Sequence, residues 1–104
     1  MTEKSELAGF QRQWLRGKAH SLKPVVQVGQ SGLADSVLEA VVQALLDHEL
    51  IKVRLQQPDD KKGMAQDLAF RSGSTMCGLV GHTVILYRPH PEEPQIRLPE
   101  RQEE

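Results

Sequence analysis

A chain of 104 residues, 38% hydrophobic and 26% charged, is large enough for one buried core and too small for two, and it has neither a disordered nor a fibrous composition. The single cysteine, Cys77, excludes an internal disulfide framework and a multi-cysteine zinc site, no run approaches the roughly 18 apolar residues of a membrane span, and "MTEKSELAGF" lacks the apolar core of a secretory signal; a soluble, cytoplasmic protein is expected. The formal net charge of -1 conceals a segregation: Leu7 to Ala34 carries Arg12, Arg16, Lys18 and Lys23 with no acid, whereas Glu92 to Glu104 carries five glutamates against Arg97 and Arg101.

In chain order, Leu7, Phe10, Trp14 and Leu15 share one face of a helix over 3–19, with Thr2 or Ser5 as cap and Gly17 as a weak point near its end. "KPVVQV" reads as a first strand, since Pro24 is tolerated at a strand start and Val25, Val26 and Val28 favour extended backbone. After the corner Gly29-Gln30-Ser31-Gly32, apolar residues from Val37 to Leu46 recur at helical spacing, with Asp35 at the positive end of the helix dipole. "LIKVRLQ" alternates: Ile51, Val53 and Leu55 point one way, Lys52, Arg54 and Gln56 the other. One face of the sheet should therefore be wet.

Asp59 or Asp60 caps a third helix with Met64, Ala65, Leu68 and Ala69 as its apolar stripe and Gly73 at its left-handed stop. "TMCGLVGHTVILYR" reads as a hairpin turning at Gly81-His82. From Pro89 onward the chain holds four of its six prolines and no sustained period, so an extended or disordered tail is expected, with Ile96 and Leu98 able to dock on the body. The predicted order is α-β-α-β-α-β-β, a single α/β (α+β) domain over 1–89 followed by a tail over 90–104. Two strand-helix-strand crossovers make the first three strands parallel, the closing hairpin adds an antiparallel fourth, and a two-layer packing places the helices on one face of a mixed sheet.

The glycine corner has two readings, an ordinary strand-to-helix turn or a seat where a phosphate meets backbone N–H groups at the entry to the second helix. It is neither a Walker loop nor a GxGxxG dinucleotide fingerprint. Arg12 and Arg16 share a helix face, and Lys18 and Lys23 flank the link to the corner. This set is either a solvated surface, the ordinary fate of such charges, or an anion site; the acid-free surroundings bring the second level with the first. His20, His48, His82 and His90 show no metal-ligand spacing, although His20 stands between the basic residues; Trp14 fits a core position better than a base-stacking one. Asp47 and Glu49 sit at a helix end without forming a catalytic pair, so neither an enzyme constellation nor a cofactor loop is visible.

Taken together, "LRGKAHSLKPVVQVGQSGL", "VLEAVVQALLDHELIKVRL" and "GHTVILYRP" strongly resemble the CRM domain, in particular the small stand-alone bacterial YhbY-like proteins, over roughly residues 5–89. The resemblance implies the fold of the C-terminal domain of the third translation initiation factor, with a four-stranded mixed sheet. It also implies RNA binding and association with ribosomal RNA or precursors of the large ribosomal subunit, while the lack of a visible nucleophile, metal set or cofactor loop makes a non-enzymatic protein the expectation. Carried over by position, the RNA-binding loop is Gly29, Gln30, Ser31 and Gly32, with Arg16, Lys18, Lys23, Lys52 and Arg88 as the neighbouring basic surface; the charge pattern itself adds Arg12 and His20 to the expected RNA-binding residues. Family loops often hold a lysine or arginine between the glycines, where this chain has Gln30 and Ser31. A monomer without cofactor or metal is expected, and a protein-protein adaptor docking on a ribosomal protein or assembly factor is the alternative.

Overall fold

The alternation along "LIKVRL" decides how the sheet is covered. In the computed structural model, which describes residues 7–56 and 58–100, the chain forms α1 (Gly9–Ala19), β1 (Val26–Val28), α2 (Asp35–His48), β2 (Leu50–Leu55), α3 (Lys61–Ser72), β3 (Thr75–Val80) and β4 (Thr83–Tyr87). The four strands make one sheet in the order β1-β2-β4-β3, with β1 parallel to β2 and β4 antiparallel to both of its neighbours. The first three strands thus run the same way, and the hairpin returns its last strand between the second and the third. This is the expected mixed α+β architecture.

Ile51, Val53 and Leu55 of β2 join Val84 and Leu86 of β4 in the main core, beneath Val41 and Leu45 of α2 and Leu68 of α3. The opposite face of the sheet differs from expectation. It is not wholly wet, and the helices do not all lie on one side, because Leu50, Ile85 and Tyr87 alternate onto it and need cover. Leu15 and Ala19 of α1 supply that cover together with Ile96 and Leu98 of the tail, giving a second, smaller core.

Local sequence explains most of the boundaries. Helix α1 begins at Gly9, later than the periodicity suggests, and the expected caps Thr2 and Ser5 lie outside the described residues. Its N-cap is Ala8, which offers no side-chain oxygen; the Gln11 amide substitutes, accepting the Ala8 N–H at 3.0 Å and donating to the Pro99 carbonyl at 3.1 Å. Asp60 caps α3 through Gly63 N–H at 3.0 Å, and Gly73 ends that helix with φ +70°. Between Met76 and Gly78 the β3 register shifts, leaving Cys77 as a bulge.

Over residues 90–100 the tail runs without helix or strand and docks through Ile96 and Leu98, as the sequence allowed; what was not expected is the residue that holds it. That residue is Glu49, whose side chain is only 2% exposed. The Glu49 carboxylate accepts backbone N–H groups from His90 at 2.6 Å, Gln95 at 3.0 Å and Ile96 at 2.8 Å. Three donors compensate a buried charge that would otherwise be costly. Glu49 also adopts φ +67° at the end of α2, and its carbonyl accepts the Arg88 N–H, so one residue joins helix, sheet and tail. Replacing Glu49 with Ala should lower unfolding free energy by about 3 kcal/mol, since hydrogen bonds to a charged group are worth about 1.5–3 kcal/mol each and do not add fully. Hydrogen exchange at the His90, Gln95 and Ile96 amides should accelerate; unchanged protection there would show that the carboxylate does not hold the tail.

Candidate nucleic-acid interface

The glycine corner lies at the end of the sheet where β1 and β2 finish and the Gly81-His82 turn connects β3 to β4. Gly32 adopts φ +75° with open space where a Cβ would stand, so glycine is needed there for backbone conformation and not for packing. Gly32 N–H closes onto the Gly29 carbonyl at 3.1 Å, leaving Gln30 and Ser31 exposed at the tip. Helix α2 follows, capped by Ala34 without a side-chain bond.

The two flanks of this corner differ in charge. On the α3 side, Gly29 and Gln30 border a depression of about 420 Å³ shared with Asp59 and Asp60. A phosphate there would meet two carboxylates. On the other flank, Gln27 pairs with Arg54 across the β1–β2 ladder, and Gly29 lies two positions further along, past Val28. Strand spacing sets the Arg54 and Gly29 backbones roughly 8 Å apart, within reach of an extended arginine.

Arg54 opens onto a second depression, of about 340 Å³, on the uncovered half of the sheet face. Arg16, His20, Lys52 and Arg54 meet there around Pro24, Thr83 and Ile85, with no acidic side chain in the lining. Arg54 is absent from the residues that sequence reasoning selected, although its place beside Lys52 on the polar face of β2 was readable from the alternation. The structure therefore brings Arg16, His20 and Lys52 together, adds Arg54, and links them to the glycine corner along β1.

The remaining predicted residues are dispersed. Lys18 stands 5.2 Å from the Trp14 ring centroid, and Trp14 itself packs on the second core. Lys18 and Lys23 rim a separate, largely apolar groove containing Leu22, Val25 and Ile96. Arg12 lies at the start of α1, bonded to the Leu7 carbonyl at 2.7 Å. Arg88 lies at the far end of the sheet, beyond the C-terminus of β4, while the glycine corner adjoins its beginning. The intervening five residues of β4 span about 17 Å.

Anchoring of these cations follows one pattern. Arg16 donates to the Cys77 carbonyl at 2.8 Å, Lys52 to the Leu22 and His20 carbonyls at 3.0 and 3.3 Å, and Arg88 to the Ser72 carbonyl at 3.4 Å. Neutral acceptors fix these side chains without cancelling their charge. Among the described residues the one ion pair is Asp67–Arg71, away from this surface.

Arg16 reaches its carbonyl because β3 carries glycine at position 78: a Cβ there would stand 2.6 Å from Arg16 Cδ. Burial pushes the neighbouring Cys77 thiol up to about 11, against the opposing pull of Arg12 and Arg16, so it is protonated at neutral pH and a poor nucleophile. Among the described residues no three His, Cys, Asp or Glu side chains stand close enough to hold a metal ion.

Three comparisons bear on this arrangement. The family model of the CRS1 / YhbY (CRM) domain matches residues 7–88. A Bacillus subtilis protein named "Probable RNA-binding protein YqeI" is 40% identical over 95 residues, covering 89% of this chain and 99% of the relative. A Haemophilus influenzae protein named "RNA-binding protein" is 39% identical over 97 residues, covering 91% and 97%. The solution structure of the hypothetical protein SAV1595 from Staphylococcus aureus superposes with a TM-score of 0.78 at 32% identity, covering 90% of this chain and all of that one.

The contact between Arg16 and Gly78 is open to direct measurement. Gly78→Ala should cost about 1–2 kcal/mol by overpacking against the arginine stem. In an Arg16→Ala background the same substitution should cost less than half as much; an equal cost in both backgrounds would mean that the glycine serves the bulge alone.

Proposed function

Because the chain belongs to the CRS1/YhbY (CRM) domain family, we propose that it is an RNA-binding protein whose contact surface runs from the Gly29–Gly32 corner across Arg54 and Lys52 to His20 and Arg16. The observation that carries this reading is the convergence of four basic residues, held by neutral carbonyls or by none, in a depression without an acid. Such a surface attracts a polyphosphate backbone, and Gln30 and Ser31 at the corner add uncharged donors where Gly32 lets a chain approach closely. Because Asp59 and Asp60 occupy the α3 flank, the RNA backbone passes on the Arg54 side of the corner. Recognition rests on backbone and shape, and no step of catalysis is involved.

The resemblance to YhbY-like proteins supports a finer reading: the RNA is ribosomal, the setting is large-subunit assembly in the cytoplasm, and the protein acts as a monomer. The domain is residues 1–89 and the tail 90–104, and Ile96 and Leu98 of that tail close the second core. No helix among the described residues is long and apolar enough to cross a membrane.

Two substitutions test the surface. Gly32→Asp and Gly32→Asn impose similar backbone strain, since both side chains tolerate positive φ, but only the first adds charge. Gly32→Asp should bind RNA about fivefold more weakly than Gly32→Asn, the equivalent of about 1 kcal/mol for one exposed charge near a phosphate; equal affinities would remove the corner from the interface. Among the described residues the Arg54 side chain has no hydrogen-bond partner, so Arg54→Ala should reduce the slope of log affinity against log salt by about 0.7–0.9 without loss of stability. An unchanged slope would exclude Arg54 as a phosphate contact.

A further inference from the structure

Helix α3 ends with a large apolar side chain facing water: Phe70 is 84% exposed, while the adjacent Ala69 is buried in the main core. A phenylalanine at that position adds nothing to the core. Beside it lies a cavity of about 430 Å³ whose walls include Ser74, Thr75, Tyr87 and Arg88, again with no acidic side chain. The Arg88 guanidinium rests against Gly73, where a Cβ would lie 3.9 Å from Nε, and Nη1 donates to the Ser72 carbonyl at 3.4 Å. One of five guanidinium N–H donors is thereby committed, and no carboxylate among the described residues pairs with it. Ser74 Oγ is held 2.8 Å from Ser72 Oγ, which places a second polar group on the same wall.

From this juxtaposition of an exposed aromatic face, an anchored unpaired arginine and polar groups around one cavity, we propose that Phe70 and Arg88 form a subsite for an unpaired nucleotide of RNA, the base stacking on Phe70 and its phosphate bonding Arg88. The proposal rests on the RNA-binding reading above and extends it to the opposite end of the sheet. Stacking on an aromatic ring requires a base released from a duplex, so this subsite selects single-stranded segments, which the backbone-directed surface around Arg54 does not. It also gives Arg88 a role that its distance from the glycine corner denies it there.

The test compares a fluorescently labelled oligouridine with a labelled RNA duplex of equal length, bound to the full chain and to Phe70→Ala, Phe70→Trp and Arg54→Ala. Phe70 is exposed, so its replacement leaves the core intact. Phe70→Ala should weaken oligouridine binding about tenfold, as the loss of one base stacked on an aromatic ring entails, while leaving duplex affinity and the salt slope unchanged. Phe70→Trp should restore the affinity. If Phe70→Ala binds oligouridine like the wild type while Arg54→Ala still flattens the slope, the subsite is overturned, the wider reading stands, and Phe70 belongs to a contact with protein. Equal losses on single strand and duplex would also overturn stacking. If the wild-type chain binds neither RNA, both readings fall together.

Discussion

One short helix cannot cover a four-stranded sheet. Helix α1 has 11 residues, about 16 Å of length and about 10 Å of width, against a sheet about 20 Å across. Its cover extends over Leu50, Ile85 and Tyr87 and is completed by Ile96 and Leu98, which Glu49 holds in place through the tail backbone. The rest of that face must be polar, and the chain places Lys52, Arg54 and Thr83 there. The candidate interface is thus the uncovered remainder of a packing problem. Its position follows from where α1 and the tail stop.

How the charges are held matters as much as where they lie. A lysine or arginine paired with a carboxylate contributes little to attracting an anion, because the pair is already close to neutral. Here Arg16, Lys52 and Arg88 are oriented by backbone carbonyls, so side-chain freedom is restricted in advance while the field remains positive. Gly78 serves the same end by leaving room for the Arg16 stem over β3. No acidic side chain lines the depression around Arg54, and Asp59 and Asp60 stand on the other flank of the glycine corner. Glu49 is consumed internally, and Asp60 is spent on the cap of α3.

Much of this was legible in the sequence. Helical spacing from Val37 to Leu46, alternation from Ile51 to Leu55, the Asp60 cap, the Gly73 stop and the Gly81-His82 hairpin all appear in the structure, because each depends on local chemistry. What depends on distant partners was not readable. A buried glutamate looks in sequence like any helix-end acid, and the three N–H groups that retain Glu49 come from residues 41 to 47 positions away. The layer assignment failed for a related reason: Leu50 and Tyr87 reveal a second apolar face only once β2 and β4 are paired in register. For the candidate site, the basic character of Leu7–Ala34 was plain, but its separation into a depression around Arg16 and a groove around Lys18 and Lys23 arises from the turn of the chain after Ala19.

The most direct measurement of the central claim is a titration of the isotopically labelled protein with RNA, followed by amide chemical shifts in nuclear magnetic resonance. The half-open sheet face predicts that the largest changes cluster at His20, Gln27, Gly29 to Gly32, Lys52, Arg54 and Thr83, with the helical face of α2 unaffected. Changes centred on the exposed residues of α2, with Lys52 and Arg54 silent, would contradict it.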